Sequence, residues 1–88
     1  MDLRLTIPAS APYHAVAGEL AGKFAEYSGA DAAAAATLAR AVEALADRLG
    51  AAAPDGSIAL VIEAREREMV VAAESGGRRE QVTCPLPA

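Results

Sequence analysis

The sequence predicts an α+β fold, a two-layer sandwich in which two helices lie on one face of a mainly antiparallel sheet. Three observations lead to this prediction. The first residues alternate strictly between apolar and polar side chains, two segments of helical periodicity follow, and two β-branched runs come after them. The element order is therefore β-α-α-β-β, with a candidate fourth strand. The 88 residues suffice for one small domain, residues 1–88.

The first strand is predicted over "DLRLTIP", residues 2–8. Leu3, Leu5 and Ile7 fall on one side of an extended chain, while the polar residues between them fall on the other. This pattern indicates a strand with one buried face.

A first helix is predicted after this strand. Ser10 is the expected N-cap, and Pro12 fits the first turn, where its missing N–H costs nothing. Gly29 can adopt the left-handed conformation that ends a helix. Four large apolar residues recur at helical spacing, as on the apolar face of an amphipathic helix: Val16, Leu20, Phe24 and Tyr27.

A second helix is predicted from an N-cap at Asp31 to Gly50, because nothing between them breaks a helix. Its alanine run favours a closely packed helix surface. The predicted buried stripe consists of four residues spaced four, three and four apart: Leu38, Val42, Leu45 and Leu49.

The strands "SIALVIEA" and "MVVAAES" are predicted to form an antiparallel hairpin, and "QVTC" is the candidate fourth strand. Ile58, Leu60 and Ile62 can face the helices. The opposite face also carries apolar residues, which we interpret as candidate interface residues: Ala59, Val61, Val70 and Ala72. We therefore expect a homodimer, or a complex with a related regulatory protein. Edge pairing through the first strand is the alternative geometry.

Composition excludes several function classes. The net charge is −4, and Arg78-Arg79 is the only basic pair, which argues against binding to nucleic acid or to anionic membranes. Cys84 is the single cysteine, so no intrachain disulfide is expected, and no Cys/His group has metal-ligand spacing. Neither a signal peptide nor a membrane span is apparent, so we expect a cytoplasmic protein.

Three stretches carry a resemblance to a known family: "LRLTIPAS", "LARAVEALADRLG", and "DGSIALVIEARERE" followed by "MVVAAES". They resemble the N-terminal half of the anti-sigma-factor serine kinases, bacterial proteins of the GHKL superfamily that share the Bergerat, or histidine-kinase-like, ATPase fold. The second stretch is similar to their N-box helix, L-A-V-x-E-A-x-x-N. The resemblance covers most of this chain and about half of such a domain.

The resemblance implies candidate roles for two acids. Glu43 matches the N-box glutamate, which activates a water or hydroxyl in that family. Asp47 stands at the asparagine position that binds the Mg²⁺ of Mg-ATP, and a carboxylate can serve as such a ligand. The adenine-binding motif D-x-G-x-G is replaced by "AAESGGRR", where Glu74 is displaced and the two glycines are adjacent. The ATP lid and the remaining strands are also missing from this sequence.

Two functions from different classes follow. The first is a degenerate, non-catalytic regulatory or assembly module that acts through protein–protein contacts, with no cofactor and no metal, in which Glu43 and Asp47 lie on a solvated helix face. The alternative is a divergent Mg-ATP-binding anti-sigma-factor kinase completed by another chain, with Glu43 catalytic and Asp47 binding the cofactor. We interpret His14 as an exposed or capping residue rather than a catalytic base. A small ligand sensor is a third interpretation.

Overall fold

A computed structural model describes residues 2–85, and these residues form four strands and two helices. The elements in chain order are β1 (Asp2–Pro8), α1 (Pro12–Tyr27), α2 (Ala32–Ala52), β2 (Ser57–Ala64), β3 (Glu68–Ser75) and β4 (Arg78–Pro85). The candidate fourth strand is confirmed, and it is longer than the predicted segment. Pro85 and Pro87 were expected to stop this strand: Pro85 is its last residue, and Pro87 lies outside the described residues.

The four strands form one antiparallel sheet in the order β1-β2-β3-β4. Both helices pack against it, which confirms the predicted α+β sandwich. Ile58, Leu60 and Ile62 face the helices and are at most 1% exposed. The predicted antiparallel hairpin is also confirmed, and Val61 pairs with Ala72 on the opposite face. The sheet therefore separates a buried face from an outer face.

Helix α2 supplies the centre of the core. Its predicted stripe is confirmed, since every member is at most 1% exposed: Leu38, Val42, Leu45 and Leu49. The side chain of Asp31 caps the helix by accepting a hydrogen bond of 2.8 Å from the backbone N–H of Ala34, as predicted. The helix continues past Gly50 and ends at Ala52.

Helix α1 differs from its prediction in the face that it buries. The buried residues are mostly small: His14, Ala17, Gly18, Ala21 and Ala25. Val16, Leu20 and Tyr27 are exposed, and Phe24 is half-buried. The small side chains are the buried ones because they let α1 lie close to the alanine-rich α2. The larger residues would hold the two helices apart.

The start of α1 also differs. The helix begins with Ala11 as its N-cap residue, with no side-chain cap, and the predicted cap Ser10 contributes its carbonyl oxygen to the N–H of Tyr13. Pro12 occupies the first turn, as predicted. Gly29 follows the helix with a φ of 104°, so its predicted left-handed conformation is confirmed.

The two helices run antiparallel along a close seam. Gly18 lies against Ala39 and Glu43, and Gly22 lies against Ala35 and Ala39. Residues later in α1 therefore contact residues earlier in α2, as expected of antiparallel helices. A methyl group on Gly18 would stand 2.7 Å from the side chain of Glu43, closer than a carbon–carbon contact allows. Glu43 of α2 lies over Gly18 at this seam, and Asp47 of α2 lies beside His14 of α1.

Candidate functional site

The two acids singled out by the sequence both lie along the seam between the helices. Glu43 is half-buried, and its side chain lies over Gly18. Asp47, one turn later, has a side chain that is 69% exposed and lies beside His14 of α1. The prediction that both acids lie on a solvated helix face therefore agrees with the exposure of Asp47, whereas Glu43 is half-buried. Their spacing along α2 matches the spacing of Gly18 and His14 along α1.

His14 is buried, only 7% exposed, which corrects the interpretation that it is an exposed or capping residue. Its Nδ1 lies 2.5 Å from a carboxylate oxygen of Asp47, and its Nε2 lies 2.7 Å from the carbonyl oxygen of Ala9. Both neighbouring oxygens are hydrogen-bond acceptors, so each ring nitrogen of His14 contacts a polar atom of the protein. The histidine thus ties α1 to α2 and to the end of β1.

A glycine makes this arrangement sterically feasible. A methyl group on Gly50 would stand 2.6 Å from the carbonyl oxygen of Ala9 and 3.0 Å from the His14 ring. Only a residue without Cβ lets the segment after β1 and the imidazole approach α2 so closely. The sequence pattern predicted that α2 ends at Gly50. In the structure, Gly50 lies inside the helix and allows the close approach of Ala9 and His14.

The protein itself engages both nitrogens of the His14 ring. A general base needs a free lone pair aimed at a substrate, and both nitrogens of His14 face acceptors of the protein itself. Among residues 2–85, no three His, Cys, Asp or Glu side chains cluster as metal ligands. Cys84 is buried, and its burial raises the pKa of the thiol, which disfavours the nucleophilic thiolate.

The candidate interface on the outer face of the sheet is narrower than the sequence pattern predicts. Val70 is buried at 6% exposed, Val61 and Ala72 are half-buried, and only Ala59 is exposed. Charged pairs surround this strip, among them Glu74 with Arg79 and Glu63 with Arg65. Little apolar surface is left for a partner on this face.

The largest exposed apolar surface lies on α1 instead. Tyr13, Val16, Leu20 and Tyr27 are 45%, 46%, 43% and 79% exposed, respectively. With the half-buried Phe24, they fall within a sector of about 80° at 100° per residue. We call these five residues the α1 stripe. The regular helical spacing of the large residues is visible in the sequence, but a buried helix face has the same spacing, so the sequence alone does not show that this face is exposed.

The α1 stripe lies on the flank of the molecule that ends in β1. Gly18 and His14 lie on the side of α1 that contacts α2, and Ala17 and Ala21 lie on the side that faces the core. The stripe occupies the side remote from α2, next to the sheet edge formed by β1. In the described part of the chain, β1 pairs only with β2, so the backbone groups along its other side are unpaired within the sheet.

An open groove of about 460 Å³ runs between α1 and α2 on their solvent side. It is lined mainly by glycine and alanine, with Glu19, Lys23 and Glu26 along α1. Ligand sites normally enclose their ligand, whereas this shallow groove is open to solvent along its length. Neither α1 nor α2 combines the length and the apolar composition that crossing a bilayer requires.

Comparisons of this chain with protein-family models, curated proteins and solved structures gave no match.

Proposed function

We propose that this chain is a non-catalytic regulatory or assembly module that acts by binding another protein, on the plan of the N-terminal half of an anti-sigma-factor kinase. The observation that carries the proposal is the α1 stripe. Its five large side chains line one flank of a domain whose other apolar side chains are mostly buried or small.

The size of the stripe supports a protein partner. A large side chain offers about 150–250 Å² when fully exposed, so the exposed fractions correspond to roughly 400 Å² of mostly apolar surface. Contiguous apolar patches of this size, bordered by polar residues, mark interaction sites on soluble domains. Glu19 and Lys23, both exposed, border the stripe along α1.

The positions of the two acids support a non-catalytic role. Asp47 is engaged by His14, and Glu43 packs over Gly18, so both carboxylates serve the contact between the helices. Binding Mg²⁺ through Asp47 would compete with its hydrogen bond to His14. The geometry therefore gives the acids a structural use that requires no nucleotide.

Site-specific photo-crosslinking in cells that produce the chain tests the proposal. A benzophenone amino acid replaces Leu20 in the stripe, and a matched variant carries it at Ala44, an exposed position on α2. We expect a discrete crosslinked product from position 20 and none from position 44. The partner in that product should also bind the purified wild-type chain. If neither position yields a product, the proposal is wrong.

A further inference from the structure

Building on the proposed function, we infer that the protein covering the α1 stripe is a second copy of this chain, related to the first by a two-fold axis that passes beside Leu20. Three features of the described residues support this assignment: the spacing of the stripe, the free sheet edge beneath it, and the charges along its border.

The spacing of the stripe is symmetric about Leu20. Tyr13 and Tyr27 stand seven positions to either side of it, and Val16 and Phe24 stand four positions to either side. When two copies pack antiparallel about a two-fold axis, a residue on the axis meets its own counterpart, and flanking residues meet their mirror positions. Leu20 would then meet Leu20 of the second copy, Val16 would meet Phe24, and Tyr13 would meet Tyr27.

The same axis aligns the sheet edges. With the axis perpendicular to the sheet, the β1 strands of the two copies run antiparallel side by side, and both helical layers stay on one side of the joined sheet. The apolar residues of β1 remain on the helical side in both copies: Leu3, Leu5 and Ile7. Helices that pack side by side lie about 8–10 Å apart, about twice the spacing of paired strands, so both contacts fit one arrangement.

The exposed area of the α1 stripe is about half of what a dimer of ordinary size needs from each chain. The α1 stripe offers roughly 400 Å² per chain. A stable interface needs about 800 Å² per partner, and edge pairing along β1 adds backbone and side-chain area towards that figure. The outer face of the sheet, where Val70 is already buried, offers less.

The charges bordering the stripe are complementary under this symmetry. Glu19 and Lys23 lie on the same border of the stripe, one turn apart and on either side of Leu20. Antiparallel packing brings Lys23 of one copy towards Glu19 of the other, and the two-fold axis creates this opposite-charge contact twice.

Sedimentation velocity on the purified chain, from about 1 to 100 μM, tests the inference. We expect a species of twice the chain mass for the wild type. Leu20→Lys, which sets two like charges facing each other on the axis, should shift the protein to the monomer. Two matched lysine variants should remain dimeric: Ala44→Lys on the solvent side of α2, and Ala59→Lys on the outer face of the sheet. Circular dichroism checks that each variant is folded.

A second variant tests the axis without requiring dissociation. Leu20→Cys should form a disulfide-linked dimer under mild oxidation, because a residue on a two-fold axis lies next to itself, whereas Ala44→Cys should not. A wild-type chain that is monomeric throughout, or a dimer that Leu20→Lys leaves intact while Ala59→Lys splits it, overturns the inference. A crosslink from position 20 to a different protein that then binds the purified chain also overturns it, yet supports the proposed function.

Discussion

Replacing Gly50 with alanine tests the close packing of α2 against the segment after β1. Two effects of this substitution oppose each other. Gly50 lies inside α2 without a positive φ, so alanine should stabilise the helix by about 1 kcal/mol. The new methyl group, however, would stand 2.6 Å from the carbonyl oxygen of Ala9 and 3.0 Å from the ring of His14.

The steric effect should dominate. Overpacking of a close contact costs about 1–3 kcal/mol, and displacing the Ala9 carbonyl from His14 removes a hydrogen bond worth about 0.5–1.5 kcal/mol. Set against the stabilisation of the helix by about 1 kcal/mol, the net loss in unfolding free energy is about 0.5–3.5 kcal/mol. For a domain of this size, each kcal/mol of that loss lowers the melting temperature by about 4–8 °C.

Gly22→Ala is the matched control. A methyl group there would meet Ala35 and Ala39 at 3.5 and 3.6 Å, which are ordinary contact distances. This substitution should therefore have only the stabilising effect of alanine in a helix, which increases the unfolding free energy by about 0.5–1 kcal/mol. Urea and thermal unfolding followed by circular dichroism measure both variants. If Gly50→Ala stabilises the protein as much as Gly22→Ala does, the described packing around His14 is refuted.

Three further predictions concern the core, the nucleotide and the cysteine. Leu45→Ala should reduce the unfolding free energy by about 2–5 kcal/mol, since this side chain is fully buried beneath the sheet, and an unchanged melting temperature would show that it is not. Isothermal titration calorimetry with Mg-ATP should give no binding; micromolar affinity that is lost in Glu43→Ala or Asp47→Ala would support the kinase alternative. Cys84 should react with a thiol reagent slowly in the native state and faster in urea, because burial raises the pKa of its thiol, whereas fast native labelling would contradict this.

Sequence periodicity correctly predicted the buried faces of the elements in which large apolar side chains alternate with small or charged ones. The leucine and valine stripe of α2 is flanked by alanine and charged residues, and β2 has its largest residues at alternate positions. In both elements the largest side chains and the buried side chains are the same, so the pattern identifies the buried face correctly. The register of the hairpin did not follow from the sequence, because the bend between its strands has no glycine or asparagine to indicate a turn type.

Helix α1 shows where such reasoning fails. It has two apolar faces, one large and one small, and periodicity favours the large one. The choice depends on the neighbouring helix, because the alanine run of α2 offers a flat surface that only small residues can approach closely. The contact of His14 with Asp47 joins positions 33 residues apart, and no local pattern contains that information.

The topology of the sheet has a consequence for folding. β2, β3 and β4 form a meander whose pairings are local, whereas β1 meets β2 only after the entire helical hairpin has intervened. Closing so long a loop costs more chain entropy than forming the meander, which favours late docking of β1. Because β1 has a single strand neighbour among residues 2–85, its amides are expected to exchange with solvent before those of β2 and β3. The rate of this exchange is therefore sensitive to whatever lies against the free edge of β1.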